Sequence, residues 1–188
     1  MSANGRGQLI FLTGPAASGK TRTGMLWSLQ RATPTFFLDW DQVANVLLVE
    51  EALHTLTVSA AYRRSAQVCA ALAKSITDEG NDCILVGSWA LDPNPDWEGQ
   101  WSDVRELDPL VVVLHPSLET CLERNRADAS RRGRFAVPEA HIKGSHRLDW
   151  GSWSKDPRAL VVDTSALGLE EVVSMLEQLV QEARPFQR

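Results

Sequence analysis

The segment Gly14-Pro15-Ala16-Ala17-Ser18-Gly19-Lys20-Thr21 fits the pattern G-x-x-x-x-G-K-[ST] at every fixed position. Glycines at its two ends let backbone amides converge on phosphate oxygens. The helix expected to start at the loop adds the positive end of its dipole. Lys20 brings a point charge for β- and γ-phosphates, and the Thr21 hydroxyl suits a Mg²⁺ ion. A chance match is expected in roughly one per cent of chains this long or fewer. The loop therefore predicts a nucleoside triphosphate, read as ATP, held with Mg²⁺.

Two further groups of residues have the right chemistry for such a site. Asp39 and Asp41 follow the short apolar run Thr35–Leu38, and on a continuing strand both would point the same way. One carboxylate would accept a hydroxyl proton while the other orients Mg²⁺ or substrate. The competing reading is that one of them caps the next helix. The second group is Arg124, Arg126, Arg131, Arg132 and Arg134, dense for a chain of net charge −5. Guanidinium forks stabilise charge spread over a transferring phosphoryl group. The plainer account is a solvated helix face.

These residues need elements to position them. Gln8–Thr13, Thr35–Leu38, Cys83–Val86, Leu110–Leu114 and Ala159–Val162 are short apolar runs ended by turn residues, and read as strands. Helical patterns lie between them. Gly19 to about Ala32 places Met25, Leu26 and Leu29 on one face. Val43–His54 is a weaker helix, and a longer one starts near Thr57 or Ser59. That helix carries Tyr62, Ala66, Cys69, Leu72, Ala73 and Ile76 at helical spacing and stops at Glu79-Gly80-Asn81. Leu91–Trp101 reads as a loop. Pro116 opens a helix with Leu118, Cys121 and Leu122 inward. Pro138–Leu148 reads as another, followed by a Trp- and Ser-containing loop. Leu169 to Glu182 closes the chain with a stripe of Leu169, Val172, Val173, Leu176, Leu179 and Val180. Continuously apolar strands alternating with helices predict an α/β three-layer sandwich around a five-stranded parallel sheet. Its 188 residues suit one domain, 1–188.

Composition narrows the partners. A net charge of −5 leans away from a nucleic-acid partner and toward a small molecule, while 23% charged residues are ordinary for a soluble globular chain. Cys69, Cys83 and Cys121 lack the spacing of a metal or redox pair and read as buried thiols. No run approaches the length of a membrane span, and Met1–Gly7 is not leader-like, so a cytoplasmic chain is expected. Monomer and homodimer stay open.

Beyond the phosphate loop, three segments carry a resemblance. FFLDWDQV, LHPSLETCLERNRADASRRGR and ALVVDTSALGLEEVV look like the corresponding parts of the small P-loop kinases. That nucleoside-monophosphate-kinase-like group includes shikimate, gluconate and adenylyl-sulfate kinases, chloramphenicol phosphotransferase and the zeta-toxin and polynucleotide-kinase types. The resemblance covers Gln8 to about Glu182. It implies a P-loop NTPase fold with strand order 2-3-1-4-5 and an arginine-rich lid at about 124–146. It also implies an Asp after strand two that meets the acceptor hydroxyl, here Asp41 ahead of Asp39. Arg124, Arg132 and Arg134 would serve the transition state with Lys20. Asp163 and Thr164, in the turn after the last strand, would face adenine, or else form only a turn and cap. Strand three ends Val86-Gly87-Ser88-Trp89, without the acid some relatives have there, so Asp39 is the substitute metal contact beside Thr21.

The activity implied is ATP-dependent phosphoryl transfer to a hydroxyl of an antibiotic, sugar-like compound or nucleoside. Nucleoside monophosphate kinase, polynucleotide 5′-hydroxyl kinase and a non-catalytic ATP-binding module are the alternatives. Trp40, Trp89, Trp97 and Trp101, four of the seven tryptophans, fall around the acceptor side, as aromatic walls or as packing. His115 reads as structural.

Overall fold

The computed structural model describes residues 5–47, 58–87, 101–128, 137–153 and 159–183. Its elements are β1 (Leu9–Thr13), α1 (Lys20–Gln30), β2 (Thr35–Asp39), α2 (Trp40–Leu47), α3 (Val58–Asp78) and β3 (Asp82–Val86). There follow α4 (Ser102–Arg105), β4 (Leu110–Leu114), α5 (Leu118–Ala127), α6 (Glu139–Trp153), β5 (Ala159–Val162) and α7 (Leu169–Ala183). The strands form one parallel sheet in the order β2-β3-β1-β4-β5, as the resemblance implied. The central strands β1, β3 and β4 are buried along their whole length. The edges are not: Phe36 of β2 and Val161 of β5 reach solvent.

Alternation along each strand divides the core in two. Phe11, Leu85, Val111 and Val113 face Ala66, Cys69, Ala70 and Ala73 of α3, together with Trp40, Ala44, Trp101 and Val104. Ile10, Leu12, Ile84, Val86, Val112 and Leu114 face Trp27 of α1 and Val172, Val173, Leu176 and Val180 of α7. Each fully buried side chain of this size contributes about 1.5–3 kcal/mol. Covering both faces is what requires strands without polar alternation.

The first helix turns a different face inward from the one its apolar residues suggest. Thr23, Gly24 and Trp27 are buried, whereas Met25 and Leu29 are 52% and 76% exposed. Close approach to the sheet decides this. A Cβ on Gly24 would lie 2.7 Å from Val86 Cγ2 and 3.0 Å from Phe37 Cε2. Small residues here let α1 settle onto β1 and β3, with Trp27 filling the space beyond.

Three boundaries also differ from expectation. β2 runs into α2 without a loop, so the helix expected from Val43 begins at Trp40. Pro116 stands outside α5, whose N-cap is Ser117 with its hydroxyl accepting from the Thr120 amide at 3.1 Å. α6 continues through Gly151 and Ser152 to Trp153, where a loop was expected. Glycine and serine lower helix propensity by about 1 kcal/mol or less each, too little by themselves to end a helix.

At the lower edge of the sheet, Arg31 is a buried cation. It donates to Asp82 at 2.8 Å and to Glu177 at 3.1 Å. Asp82 also accepts from the Gln8 amide and the Thr33 hydroxyl, and Glu177 from the Trp27 indole. The end of α1, the start of β3 and α7 are thereby joined, opposite the phosphate loop. Cys69 and Cys83 are buried free thiols, with pKa values pushed up to about 12 mainly by burial. Cys121 is buried and free as well.

Candidate functional site

The phosphate loop leaves β1 at Thr13 and enters α1 at Lys20. Its shape demands unusual backbone. Gly14 and Gly19 have φ of 149° and 95°, and Ala17 is left-handed at 64°. A Cβ on Gly14 would stand 2.3 Å from the Leu114 carbonyl oxygen, so only glycine fits beside β4. The Ser18 amide donates to the Pro15 carbonyl at 3.1 Å and closes the turn. Lys20 is buried, with Nζ 3.4 Å from that same carbonyl. Thr21 follows in the first turn of α1. An anion cradle of this kind suits a polyphosphate: a glycine turn, a helix N-terminus and an inward lysine converge.

Asp39 closes β2 in register with Val86, which pairs in turn with Leu12 of β1. Two strand spacings separate it from the start of the loop, about 10 Å. It is buried, and its Oδ1 accepts from the Asp41 amide at 2.9 Å. Asp41 is exposed in the first turn of α2. The two acids therefore do not lie side by side on one strand. The chain turns helical between them, and Asp39 supports the start of the helix that carries Asp41. Oxygen donors suit Mg²⁺. Thr21 offers a hydroxyl from the first turn of α1, and Asp39 a carboxylate from the end of β2. Among the described residues no group of three or more His, Cys, Asp or Glu is arranged to hold a metal by itself.

Arg124, at the end of α5, reaches the loop. Its Nη1 donates to the Ser18 carbonyl and its Nη2 to the Thr164 carbonyl, each at 2.8 Å. The fork joins the phosphate loop to the turn after β5. In that turn Asp163 accepts from the Ser165 amide and hydroxyl, which hold its carboxyl below the usual range. Thr164 is buried, and Ser165 Oγ accepts from the Ser117 amide at 2.7 Å. Of the segment at 124–146, residues 124–127 finish α5 and 139–146 form the first part of α6. Arg131, Arg132 and Arg134 lie outside the described residues, as do Trp89 and Trp97. Arg126 pairs with Glu139 on the surface, away from the loop's contacts.

Trp40 and Trp101 are buried core residues, and Trp101 packs on Phe11 and Trp40 at 5.1 and 5.5 Å between ring centroids. Both are packing residues of the core beneath the start of α2. The His115 and His146 rings lie 4.4 Å apart, tilted by 46°, and burial lowers the His115 pKa, followed by the neighbouring imidazole. His146 Nε2 donates to the Pro116 carbonyl at 2.9 Å. Sequence reading passed over two residues that touch this region, Ser145 and His146. Both sit in a helix with little apolar periodicity, and nothing local marks them.

A parallel sheet in the order 2-3-1-4-5, with a phosphate loop between its central strand and α1, defines a P-loop kinase-like α/β domain. The chain belongs to the AAA domain family, whose model matches residues 9–148. No curated protein matches its sequence. Solved structures do match in fold. A sugar kinase from Janibacter sp. is 17% identical with a TM-score of 0.67, over 93% of this chain and 95% of that one. Thymidylate kinase from Candida albicans is 16% identical with a TM-score of 0.65, over 95% and 93%. Shikimate kinase from Acinetobacter baumannii, in complex with shikimate, is 17% identical with a TM-score of 0.65, over 94% of each chain.

Proposed function

We propose that this chain, as a single domain over 1–188, is an ATP-dependent phosphotransferase. It moves the γ-phosphoryl group to a hydroxyl of a small molecule. The observation that carries the reading is the common edge of the sheet shared by the phosphate loop and the Asp39–Asp41 corner. A donor anion and an acceptor hydroxyl would meet there. The kinases that share the fold support the reaction class.

In this reading the loop amides and Lys20 hold the β- and γ-phosphates. Asp41 takes the acceptor's proton as its oxygen bonds to the γ-phosphorus. The bond from that phosphorus to the β–γ bridging oxygen breaks, and ADP leaves. Asp39 keeps the first turn of α2 in place and, with Thr21, is the protein's contact to Mg²⁺. That ion, when bound, neutralises phosphate charge. Arg124 acts from α5, and Arg132 and Arg134 complete the positive charge around the transferring group. Asp163 and Thr164 form the turn beside the base. Two carboxylates at the acceptor corner favour a neutral hydroxyl over an acceptor that is itself a phosphate.

The test is a panel of antibiotics, sugars and nucleosides incubated with ATP and Mg²⁺, read by mass spectrometry for addition of one phosphoryl group. Lys20→Ala is expected to fold normally and to lose transfer by 10²-fold or more. Undiminished turnover in that variant would sink the assignment.

A further inference from the structure

Ser145 lies 129 residues from Ala16 in sequence, yet its Oγ accepts from the Ala16 amide at 3.1 Å. The hydroxyl is oriented for this. Its proton goes to the Ile142 carbonyl, also at 3.1 Å, so a lone pair is left facing the loop. One helical turn earlier, Ile142 is fully buried in a cluster with Ala17 and Cys121. Two successive loop residues thus meet two residues one turn apart on α6. His146, next along, is held by the Pro116 carbonyl and the His115 ring.

We infer that Ser145 is a positioning residue, through which α6 holds the phosphate loop in the shape that receives phosphate. The loop needs such a hold. Ala17 carries a left-handed φ without being glycine, and such a conformation persists where the surroundings over-determine it. Ser145 secures the residue before it by a polar contact, and Ile142 secures Ala17 itself by an apolar one. The inference rests on the nucleotide-binding reading above and adds a residue that its motif does not contain.

Two measurements test it on the full chain. Amide exchange by NMR in nucleotide-free protein reads the contact itself. Ala16 exchanges slowly in the wild type and in Ser145→Thr, and at least several-fold faster in Ser145→Ala. Calorimetric titration with ATP and ADP, well below the unfolding temperature, reads the consequence. Ser145→Ala binds both roughly two- to ten-fold more weakly, and Ser145→Thr, which keeps the hydroxyl, restores affinity. A purely structural serine would shift Tm and leave the affinity of the folded protein unchanged. Unchanged Ala16 exchange, or wild-type nucleotide affinity in Ser145→Ala, overturns the inference. Wild-type protein that binds neither nucleotide overturns the kinase reading and the role assigned here, while the exchange rates still report the contact.

Discussion

Arg124 donates to the carbonyl of Thr164 at 2.8 Å, and its second terminal nitrogen reaches the Ser18 carbonyl at the same distance. One guanidinium thus spans the phosphate loop and the turn after β5. Each bond is a charged donor to a neutral carbonyl, worth about 1.5–3 kcal/mol. A lysine cannot serve both carbonyls from a planar fork. Arg124→Lys is expected to keep the fold, weaken ATP binding about ten-fold and lower kcat/KM further. Nucleotide titration and steady-state kinetics with the acceptor found in the panel check this. Wild-type values for Arg124→Lys would show that charge alone suffices at this position.

The corner at Asp39 separates two jobs that look alike in sequence. Asp39→Asn retains an oxygen for the Asp41 amide, so unfolding stability should stay within about 0.5 kcal/mol. Asp39→Ala removes the cap and should cost about 1 kcal/mol. Asp41→Asn leaves that hydrogen bond in place and removes the proposed base. Its kcat should fall by roughly 10²–10⁴-fold with little change in stability. Urea unfolding of the three variants beside turnover measurements separates cap from base. Full activity in Asp41→Asn would move the base to Asp39.

Arg31 is enclosed by Asp82 and Glu177 far from the phosphate loop, with its side chain 1% exposed. Arg31→Met removes the buried cation paired with the Asp82 carboxylate, while the Gln8 amide and Thr33 hydroxyl still donate to it. The expected loss is about 3–5 kcal/mol, seen as a lower urea midpoint. Nucleotide affinity of the remaining folded protein should be unaltered, because the network lies at the opposite edge of the sheet.

Acid should loosen the contact between His146 of α6 and His115, the residue after β4. His115 is held neutral below its ordinary value of 6.5 by burial and by His146, against a smaller opposing influence from Asp163. The unfolded chain binds a proton at this site at a pH where the folded chain does not. Stability from a neutral His115 is therefore present above about pH 6.5 and falls as pH drops through the folded value. His115→Gln should flatten that part of the profile of Tm against pH between 7 and 5. A wild-type slope retained in the variant would assign the acid sensitivity to another group.

Much of this architecture was legible in the residues themselves. The phosphate loop could be read because glycine at positions 14 and 19 and lysine at 20 are local requirements of an anion cradle. All five strands could be read because a strand covered on both faces must be apolar throughout, and each such run is only a few residues long. The strand order came through resemblance, not from periodicity. The inward face of α1 was misjudged because Met25 and Leu29 look like core residues, while closeness to the sheet selects Gly24 and Thr23. For Asp39 the capping alternative is the one the structure shows, because the chain turns helical at Trp40, which packs on the distant Trp101, and no local pattern displays that contact.

By itself, then, the sequence determined the phosphate loop, the α/β class and the pieces of the sheet, all properties of chemistry within a few neighbouring residues. Tertiary structure alone decided that Arg124 grips Ser18 and Thr164, that Trp40 and Trp101 are buried in the core, and that Ser145 meets Ala16. These contacts join residues tens to more than a hundred positions apart. Their geometry follows from how whole helices settle on the sheet, a sum over the packed core that no short stretch of chain encodes.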